Sequence, residues 1–447
     1  MQTNLASFIK DTPEGREADA ILRKCTHCGM CTATCPTYQL LGDELDGPRG
    51  RIYLIKQVLE GSAPTARTQL HLDRCLACSS CETTCPSGVQ YGRLLDIGRH
   101  LVESRVGRGP IEAARRQALR AVIPNPARFE PLLKLGQAVR PLLPPALKRK
   151  VPTVAASPRA WPTTDHSRKM LVLDGCVQQS LSPNTNAAAA RVLDRLGITL
   201  TRVPEAGCCG AVSFHLDAQE EALGFMRRNV DAWWPHIQRG AEAIVMTATG
   251  CGVTVKDYGY LLARDPAYAE KAKRVSELTK DISEIIAAEK TRLKSLITHH
   301  SSLSPLQPAS RGVMSNATPP DCDQRVVTGL IPHRRVAFQS PCSLQHGMKM
   351  SGKVESLLTA LGFELVNVAD SHLCCGSAGT YSILQPELSQ KLLANKIAAL
   401  TLESPAAIFT ANIGCQTHLQ SATALPVRHW IEALDESLAA SPTPSGT

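Results

Sequence analysis

The sequence predicts a helical, cysteine-bearing domain at the N-terminus, followed by two copies of a parallel α/β domain. Two groups of four cysteines with identical spacing lie within the first 98 residues. From residue 170 onward, short apolar segments alternate with helical segments, a pattern typical of parallel sheets covered by helices. The cysteines of this second region recur at a nearly constant offset, which indicates an internal duplication.

Composition limits the class of protein. The chain has 447 residues, of which 43% are hydrophobic and 20% charged, as in ordinary globular proteins of two or three domains. The sequence has neither an apolar run long enough to span a membrane nor a secretory signal, so we expect a cytoplasmic protein. In that reducing compartment, seventeen cysteines are more typical of metal ligands than of disulfides. Aromatic residues make up only 4% and no RNA-binding module is recognised, so we expect no nucleic-acid partner.

Residues 1–98 form the first predicted domain, which carries two ferredoxin-type cysteine runs. Each run has the spacing Cys-x-x-Cys-x-x-Cys-x-x-x-Cys-Pro, in which three thiolates bind one 4Fe–4S cluster and the fourth binds the other. Structural zinc sites take four ligands in two pairs, so the spacing argues against zinc. The predicted ligands are Cys25, Cys28, Cys31 and Cys85 for the first cluster, and Cys75, Cys78, Cys81 and Cys35 for the second.

The connection between the two runs is predicted to hold a helix at residues 48–61. It begins with Pro48, which suits a first helical turn, and Gly61 suits its end. Ile52, Ile55 and Val58 recur at helical spacing between them. This long connection resembles the helical ferredoxin module of respiratory iron–sulfur subunits.

Residues 99–169 are predicted to be a basic, proline-rich linker with short helices. Between Arg99 and Lys169, fifteen lysines and arginines accompany four acidic residues, so this segment accounts for the net charge of +9. Its later part, FEPLLKLGQAVRPLLPPALKRK, is both apolar and basic. Such a stretch can lie on an anionic membrane surface, bind a partner subunit or remain a solvated linker, and the sequence leaves these alternatives open.

The duplicated domains are predicted at 170–290 (copy one) and 335–447 (copy two), with a polar surface loop at 291–334 between them. Cys322, alone in that loop, is expected to be exposed. In copy one, the predicted strands are KMLVLDGC, ITLTRVP and AEAIVMTATGC, and the helices are NAAAARVLDRLG and DAQEEALGFMRRNVDAWW. In copy two, the strands are RRVAFQSPC, FELVNV and AAIFTANIGC, and the helices are GKVESLLTALG and PELSQKLLANKIAAL.

Each copy has four cysteines at the predicted carboxyl ends of its strands, where parallel α/β sheets place their ligands. They are Cys176, Cys208, Cys209 and Cys251 in copy one, and Cys342, Cys374, Cys375 and Cys415 in copy two. They resemble the Cys-Cys-Gly domain of heterodisulfide reductase, which ends in Cys-x-x-Cys. Thr254 and His418 replace the last cysteine of that pattern, which argues against a five-cysteine cluster. We therefore favour one ordinary 4Fe–4S cluster, in copy two, with His418 as a candidate added ligand. Two alternatives stay open: a further cluster in copy one, or buried free thiols in both copies.

Other candidate sites are weaker. His215 and His346 are candidates for hydrogen bonds to cluster sulfur, although such histidines are more often structural. Residues 347–354 nearly match a phosphate-binding loop, but Val354 replaces the hydroxyl residue that the motif requires. The sequence contains no G-x-G-x-x-G motif, so we assign neither a flavin or nucleotide site nor a catalytic residue to this chain.

Several segments together resemble the iron–sulfur subunits of bacterial glycolate oxidases. They are CTHCGMCTATCPTYQLLGDELDGPRGRIYLIKQVLEG, CLACSSCETTCPSGVQYGRLLDIGR and the paired Cys-Cys-Gly motifs. The resemblance implies FAD-binding partner subunits that oxidise glycolate to glyoxylate, and quinone as the final acceptor. It also implies that this chain relays electrons within a heteromeric complex associated with the cytoplasmic face of the inner membrane.

Two alternative functions stay open. One is the iron–sulfur subunit of a related respiratory dehydrogenase that acts on lactate or glycerol-3-phosphate. The other is a catalytic subunit that reduces heterodisulfides, against which the loss of the last cysteine at Thr254 and His418 counts.

Overall fold

The structure is a computed structural model that describes residues 1–144, 148–149, 151–301 and 335–439. It confirms the predicted fold class, because a helical N-terminal domain precedes two α/β units, each built on a parallel four-stranded sheet. Cys322 and most of the predicted loop lie outside the described residues. No helix within these ranges is both long and apolar enough to span a bilayer.

The N-terminal domain packs its helices around one apolar core. Helix α4 corresponds to the predicted helix at 48–61. It contacts α7 at the point where Gly98 packs against Ile55. A Cβ atom on Gly98 would lie 2.6 Å from Ile55 Cγ1, so only glycine allows this close approach. The helices are α1 (Ser7–Lys10), α2 (Pro13–Lys24), α3 (Pro36–Leu41), α4 (Pro48–Leu59), α5 (Ala66–Asp73), α6 (Ser80–Thr84) and α7 (Tyr91–Val106).

The predicted linker contains two regular helices, α8 (Pro110–Val122) and α9 (Pro126–Val139), followed by a 3₁₀ turn at Arg140–Leu142. Helix α7 also continues past residue 98, the predicted end of the first domain. Neither α8 nor α9 buries a residue. On α9 and the turn, four apolar side chains at helical spacing remain partly or largely exposed, namely Leu132, Leu135, Val139 and Leu142.

Copy one is a parallel sheet with strand order β2-β1-β3-β4 and helices on both faces. The strands are β1 (Arg168–Val172), β2 (Ile198–Arg202), β3 (Ile244–Met246) and β4 (Thr279–Asp281). The helices are α10 (Gln178–Leu181), α11 (Asn184–Arg195), α12 (Ala211–His215), α13 (Gln219–Gln238), α14 (Thr249–Lys256), α15 (Tyr258–Leu261), α16 (Ala269–Leu278), α17 (Ile282–Ala288) and α18 (Lys290–Ser301).

Copy two repeats this topology with strand order β6-β5-β7-β8. The strands are β5 (Arg335–Phe338), β6 (Glu364–Leu365), β7 (Ala407–Thr410) and β8 (Val427–His429). A π-helical turn at Ser343–Gly347 precedes α19 (Lys353–Ala360), α20 (Tyr381–Leu384), α21 (Pro386–Thr401), α22 (Ile413–Gln420) and α23 (Trp430–Ala439).

The two copies share one hydrophobic core. Buried side chains of α11, including Leu193, lie in the same apolar cluster as Trp430 and Leu434 of α23. At the edge of this contact, Arg191 bonds the buried carboxylate of Asp435 at 2.7 Å. The sequence predicted three strands in each copy and missed the fourth, β4 and β8, each of which has only three residues.

Candidate iron–sulfur centres

The first predicted ligand set lies in the loop after α2, together with one residue from the end of α6. Cys25 follows α2, and Cys85 follows α6. Gly29, with a φ of 86°, turns the loop between Cys28 and Cys31. The structure brings together the four residues predicted, because Cys31 lies near the other three thiols. Burial and these neighbouring thiols raise the pKa of Cys31 to about 11.

This first set reaches the protein surface. Among the sixteen cysteines in the described residues, Cys28 alone is exposed. Met30, two residues further along the chain, and Tyr53, whose ring lies near that of His27, are also about half exposed, at 54% and 44%. A set of thiols that opens onto an apolar surface is suited to exchange electrons with another protein.

The second predicted ligand set lies deeper in the molecule. Cys35 caps α3, Cys75 follows α5, and Cys78 and Cys81 border or begin α6. The Cys81 thiol lies near Cys78, Cys75 and Cys35, so the predicted exchange of the fourth cysteine between the two runs matches the arrangement of the thiols. Burial and the nearby thiols raise the pKa of Cys81 well above its ordinary value.

Cationic and hydrogen-bonding groups surround the second set. Although burial opposes the effect, the guanidinium groups of Arg51 and Arg99 lower the pKa of Cys75. The Tyr91 hydroxyl donates to Cys75 Sγ at 3.6 Å, and the amide of Ala77 donates to it at 3.5 Å. These groups stabilise negative charge on sulfur, which is the form in which cysteine binds iron.

Arg51 is a functional candidate that the sequence analysis missed. Its side chain is 1% exposed. Its Nε donates to the His71 carbonyl at 2.7 Å, and a terminal nitrogen lies 3.5 Å from Asp46 Oδ1. Asp46 is also bonded by Arg74 at 2.8 Å, so the buried charges are paired. In the sequence, Arg51 only interrupts a helical pattern, and nothing there distinguishes it from a solvated side chain.

In copy one, the four predicted thiols form a row in which each contacts the next. Cys176 contacts Cys208, and Cys209 contacts Cys251. The Cys208 contact and burial raise the pKa of Cys176 well above its ordinary value. Behind this row, Asn229 Nδ2 donates to the Cys208 carbonyl at 2.9 Å and to a buried tyrosine hydroxyl at 3.0 Å.

In copy two, the corresponding thiols form an equivalent row. Cys342 Sγ lies 4.0 Å from Cys374 Sγ, and Cys375 Sγ lies 3.4 Å from Cys415 Sγ. The turn that holds the adjacent cysteines requires Gly376, whose φ is 88° and whose Cβ position would lie 2.7 Å from the Ser389 carbonyl oxygen.

A buried lysine distinguishes copy two. Lys396 on α21 is only 4% exposed, and its Nζ donates to the Asp370 carbonyl at 2.9 Å. Burial lowers the pKa of Lys396, while the thiols of Cys374, Cys375 and Cys415 act in the opposite direction. The sequence alone does not distinguish this residue, because one lysine on an amphipathic helix is normally solvated.

The histidines near the copy-two and copy-one thiols, and Thr254, make the following contacts. His346 Nδ1 lies 2.9 Å from Thr83 Oγ1, and its Nε2 lies 2.9 Å from the His372 carbonyl, so both ring nitrogens are engaged with oxygen. His418 Nε2 lies 3.2 Å from Ser389 Oγ, and the Thr254 hydroxyl donates to a carbonyl of its own helix. His215 contacts Phe214 edge-on beside a cavity between α7 and copy one.

The residues present fit iron–sulfur clusters. In each ferredoxin-type set, four free thiols converge, and several of their pKa values are raised by burial and by each other. The positive charge of a bound metal centre offsets the repulsion between neighbouring thiolates, so that the ligands stay deprotonated. The donor set is all sulfur, as iron–sulfur clusters require.

Comparisons with known proteins agree with this geometry. A 4Fe-4S dicluster domain family matches residues 21–89, and the cysteine-rich CCG domain family matches residues 170–256 and 336–420. The glycolate oxidase iron-sulfur subunit of Escherichia coli strain K12 is 53% identical over 441 residues, which cover 98% of this chain and 99% of the relative. The chain belongs to the family of glycolate oxidase iron–sulfur subunits.

Other relatives are less identical in sequence, and some match a smaller part of the chain. The probable glycolate oxidase iron-sulfur subunit of Bacillus subtilis is 29% identical over 435 residues, or 91% of this chain and 90% of the relative. Lactate utilization protein A of Bacillus velezensis is 22% identical over 241 residues, or 54% of this chain and 85% of the relative. As a glycolate oxidase iron–sulfur subunit, the chain is a component of an oxidoreductase complex.

Proposed function

We propose that this chain carries electrons one at a time from an FAD-binding partner subunit, which oxidises glycolate to glyoxylate, toward membrane quinone. The observation that supports the proposal most strongly is the pair of crossed thiol sets in the N-terminal domain. Cys31 groups with Cys85, and Cys81 groups with Cys35, so each set takes its fourth thiol from the other run. This crossing holds two centres close together, which electron transfer between them requires.

The proposed ligands are the residues predicted from the sequence. Cys25, Cys28, Cys31 and Cys85 would hold one 4Fe–4S cluster, and Cys75, Cys78, Cys81 and Cys35 a second. Cys342, Cys374, Cys375 and Cys415 would hold a third, next to the buried cation of Lys396. When bound, these clusters supply one-electron transfer at sulfur-ligated iron.

For copy one, we propose the alternative that its four cysteines are buried free thiols. Asn229 and a tyrosine hydroxyl, both neutral, lie behind the row, and the thiols themselves are largely buried. Buried free cysteines behave as small apolar side chains and need no metal. Iron bound at this row would contradict this part of the proposal.

The chain's own residues stabilise negative charge at the thiols and supply a surface for the partner subunit. Arg51 and Arg99 stabilise negative charge at Cys75, and the Tyr91 hydroxyl adds a hydrogen bond. The exposed surface at Cys28 is the proposed contact for the FAD-binding subunit, which would carry the flavin and the substrate site. No residue of this chain is proposed to act on glycolate.

We also propose that α9 contacts the cytoplasmic face of the membrane. Leu132 and Leu135 are 53% and 61% exposed on a helix that buries no residue, within the basic segment. An exposed apolar stripe beside positive charge suits an anionic lipid surface.

The double variant Leu132→Ser, Leu135→Ser tests this contact. It should bind anionic phospholipid vesicles less than the control Leu402→Ser, which changes an exposed leucine of copy two. Equal binding of the two variants would contradict the contact.

The test of the relay function is an iron and acid-labile sulfide determination on anaerobically purified complex, with electron paramagnetic resonance of the reduced state. We expect about twelve iron atoms per chain, from three 4Fe–4S clusters. Cys28→Ser should remove one ferredoxin-type signal and glycolate-dependent quinone reduction, while glycolate still reduces the partner's flavin. Full quinone reduction by that variant, or an iron-free active complex, would overturn the proposal.

The lactate-related alternative rests on one observation, the similarity of half of the chain to lactate utilization protein A. The same purified complex distinguishes the two functions. Reduction of the partner's flavin by lactate and not by glycolate would replace the proposed substrate and leave the relay unchanged.

A further inference from the structure

We propose that the second thiol set passes electrons directly to the thiols of copy two and that copy one lies outside the route. The proposal rests on the proposed function and adds the order of the centres: from the exposed first set, through the buried second set, to copy two. It follows from how the N-terminal domain contacts the two copies differently.

The second set and copy two meet through their own thiols. The Cys78 thiol is partly buried and lies near that of Cys342, and Cys374 in turn lies near Cys78. Both Cys78 and Cys342 pack on one apolar cluster that also contains Leu76 and Tyr381. Apolar side chains around adjacent ligand sets exclude water from the space that an electron must cross.

Two hydrogen bonds fix this contact. Thr83 lies on α6 between two ferredoxin-type ligands, and its hydroxyl lies 2.9 Å from His346 Nδ1 of copy two. On the other side of the contact, the Tyr381 hydroxyl donates to the Arg74 carbonyl at 3.1 Å, directly before Cys75. The backbone that holds the second set is therefore bonded to the elements that hold the copy-two thiols.

Copy one contacts the N-terminal domain in a different way. These contacts include ion pairs, with Arg93 bonding Asp257 at 2.8 Å and Arg264 bonding Glu14, and Arg93 also lies over the Tyr260 ring at 3.6 Å. The thiols that influence Cys209 all belong to copy one itself. These contacts of copy one involve side chains other than its thiols, whereas copy two contacts the N-terminal domain through its thiols.

The transfer balances as a one-electron step. Cys75, Cys78, Cys81 and Cys35 would hold the group that gives up one electron, and the four copy-two cysteines would hold the group that takes it up, with no bond broken and no proton moved. The partner's reduced flavin supplies the electrons and quinone accepts them. Lys396 places a positive charge beside three of the copy-two thiols, where the added electron would be held.

The experiment compares Cys374→Ala in copy two with its counterpart Cys208→Ala in copy one, both in the holo-complex. Cys374→Ala should lower iron by about one cluster per chain and remove the magnetic coupling between the second-set and copy-two signals. It should reduce glycolate-dependent quinone reduction at least tenfold, while glycolate still reduces the partner's flavin. Cys208→Ala should leave iron, coupling and quinone reduction within twofold of the unsubstituted complex.

Quinone reduction that survives Cys374→Ala, or that falls equally in both variants, would overturn the proposed route. The Cys28→Ser result separates this failure from failure of the relay function, because that variant tests the entry of electrons and not their exit. Where Cys374→Ala does not fold, Cys342→Ala and its counterpart Cys176→Ala give the same comparison.

Discussion

Copies one and two have the same sheet order and the same row of thiols, yet their surroundings differ. In each copy, the glycine after the adjacent cysteines has a positive φ, and its amide donates to the first sulfur at 3.4 Å, at Gly210 and at Gly376. Behind the row, copy one has the neutral amide of Asn229, whereas copy two has the buried cation of Lys396. The duplication thus conserved the backbone and changed the charge around the thiols.

This difference shows that a cysteine motif determines the position of the sulfur atoms but not their tendency to hold negative charge. The position of a thiol follows from the strand ends and the glycine turn, which both copies share. The tendency to hold negative charge follows from nearby groups on other elements, which the copies do not share. A change in those groups should therefore alter function in copy two and mainly stability in copy one.

The largest expected effect comes from removing the buried charge in copy two with Lys396→Gln. We expect the midpoint potential of the copy-two centre to fall, because an interaction on the order of 1–2 kcal/mol between a buried cation and nearby negative charge is lost. Glycolate-dependent quinone reduction should drop roughly tenfold. A redox titration followed by electron paramagnetic resonance measures the potential.

The matched control is Lys391→Gln, on the same helix. Lys391 is half exposed and pairs with Glu387 at 3.1 Å, so its removal should leave the potential and the rate unchanged. Equal potentials in Lys396→Gln and the control would mean that the charge difference between the copies has no redox role.

A smaller effect on electron transfer, but a separate effect on stability, should come from the contact through which copy one supports copy two. Among the described residues, Arg191→Ala leaves the buried carboxylate of Asp435 with one cationic partner, the more exposed Arg159, at 3.6 Å. We expect the free energy of unfolding to fall by roughly 3 kcal/mol, because a buried charge loses its partner. Denaturant unfolding of the anaerobic protein measures this loss, and iron per chain should not change.

The double variant Arg191→Ala, Asp435→Ala is the control, since it removes the unpaired charge together with its partner. It should be more stable than Arg191→Ala alone. A loss of iron in the single variant would instead assign copy one a direct part in holding the cluster of copy two.

The sequence predicts the fold class and the grouping of ligands because both follow from local spacing. The crossed assignment of Cys35 and Cys85 needs only the repeated spacing, and the offset between copies needs only an alignment of cysteines. The contact of Cys78 with Cys342 lies beyond such reasoning, because it depends on which faces of two domains meet. Arg51 and Lys396 escape prediction for a related reason: burial of a charged side chain is decided by distant elements.

The ends of the fourth strands hold one more difference between the copies. Asp281 ends β4 and accepts from the Ser283 amide at 2.8 Å, while His429 ends β8 and its Nδ1 accepts from the Ile431 amide at 3.2 Å. Both side chains are 1% exposed. Burial raises the pKa of Asp281 from 3.8 to about 6 and lowers the pKa of His429 from 6.5 to about 4. In each case burial favours the neutral form.

These shifts give the two copies opposite dependence on pH. Asp281 contributes stability that is present below pH 3.8 and lost as the pH rises through about 6, whereas His429 contributes stability that is present above pH 6.5 and lost as the pH falls through about 4. In the unsubstituted chain, the two groups change the free energy of unfolding with pH in opposite directions. A substitution at one of them therefore reveals the contribution of the other. Relative to the unsubstituted chain, Asp281→Asn should make the free energy of unfolding rise more between pH 5 and 6.5, and His429→Gln should make it rise less or fall more, each by roughly 1 kcal/mol. Parallel slopes in the two variants would show that the strand ends do not differ in this way, because a shared background cannot produce opposite signs.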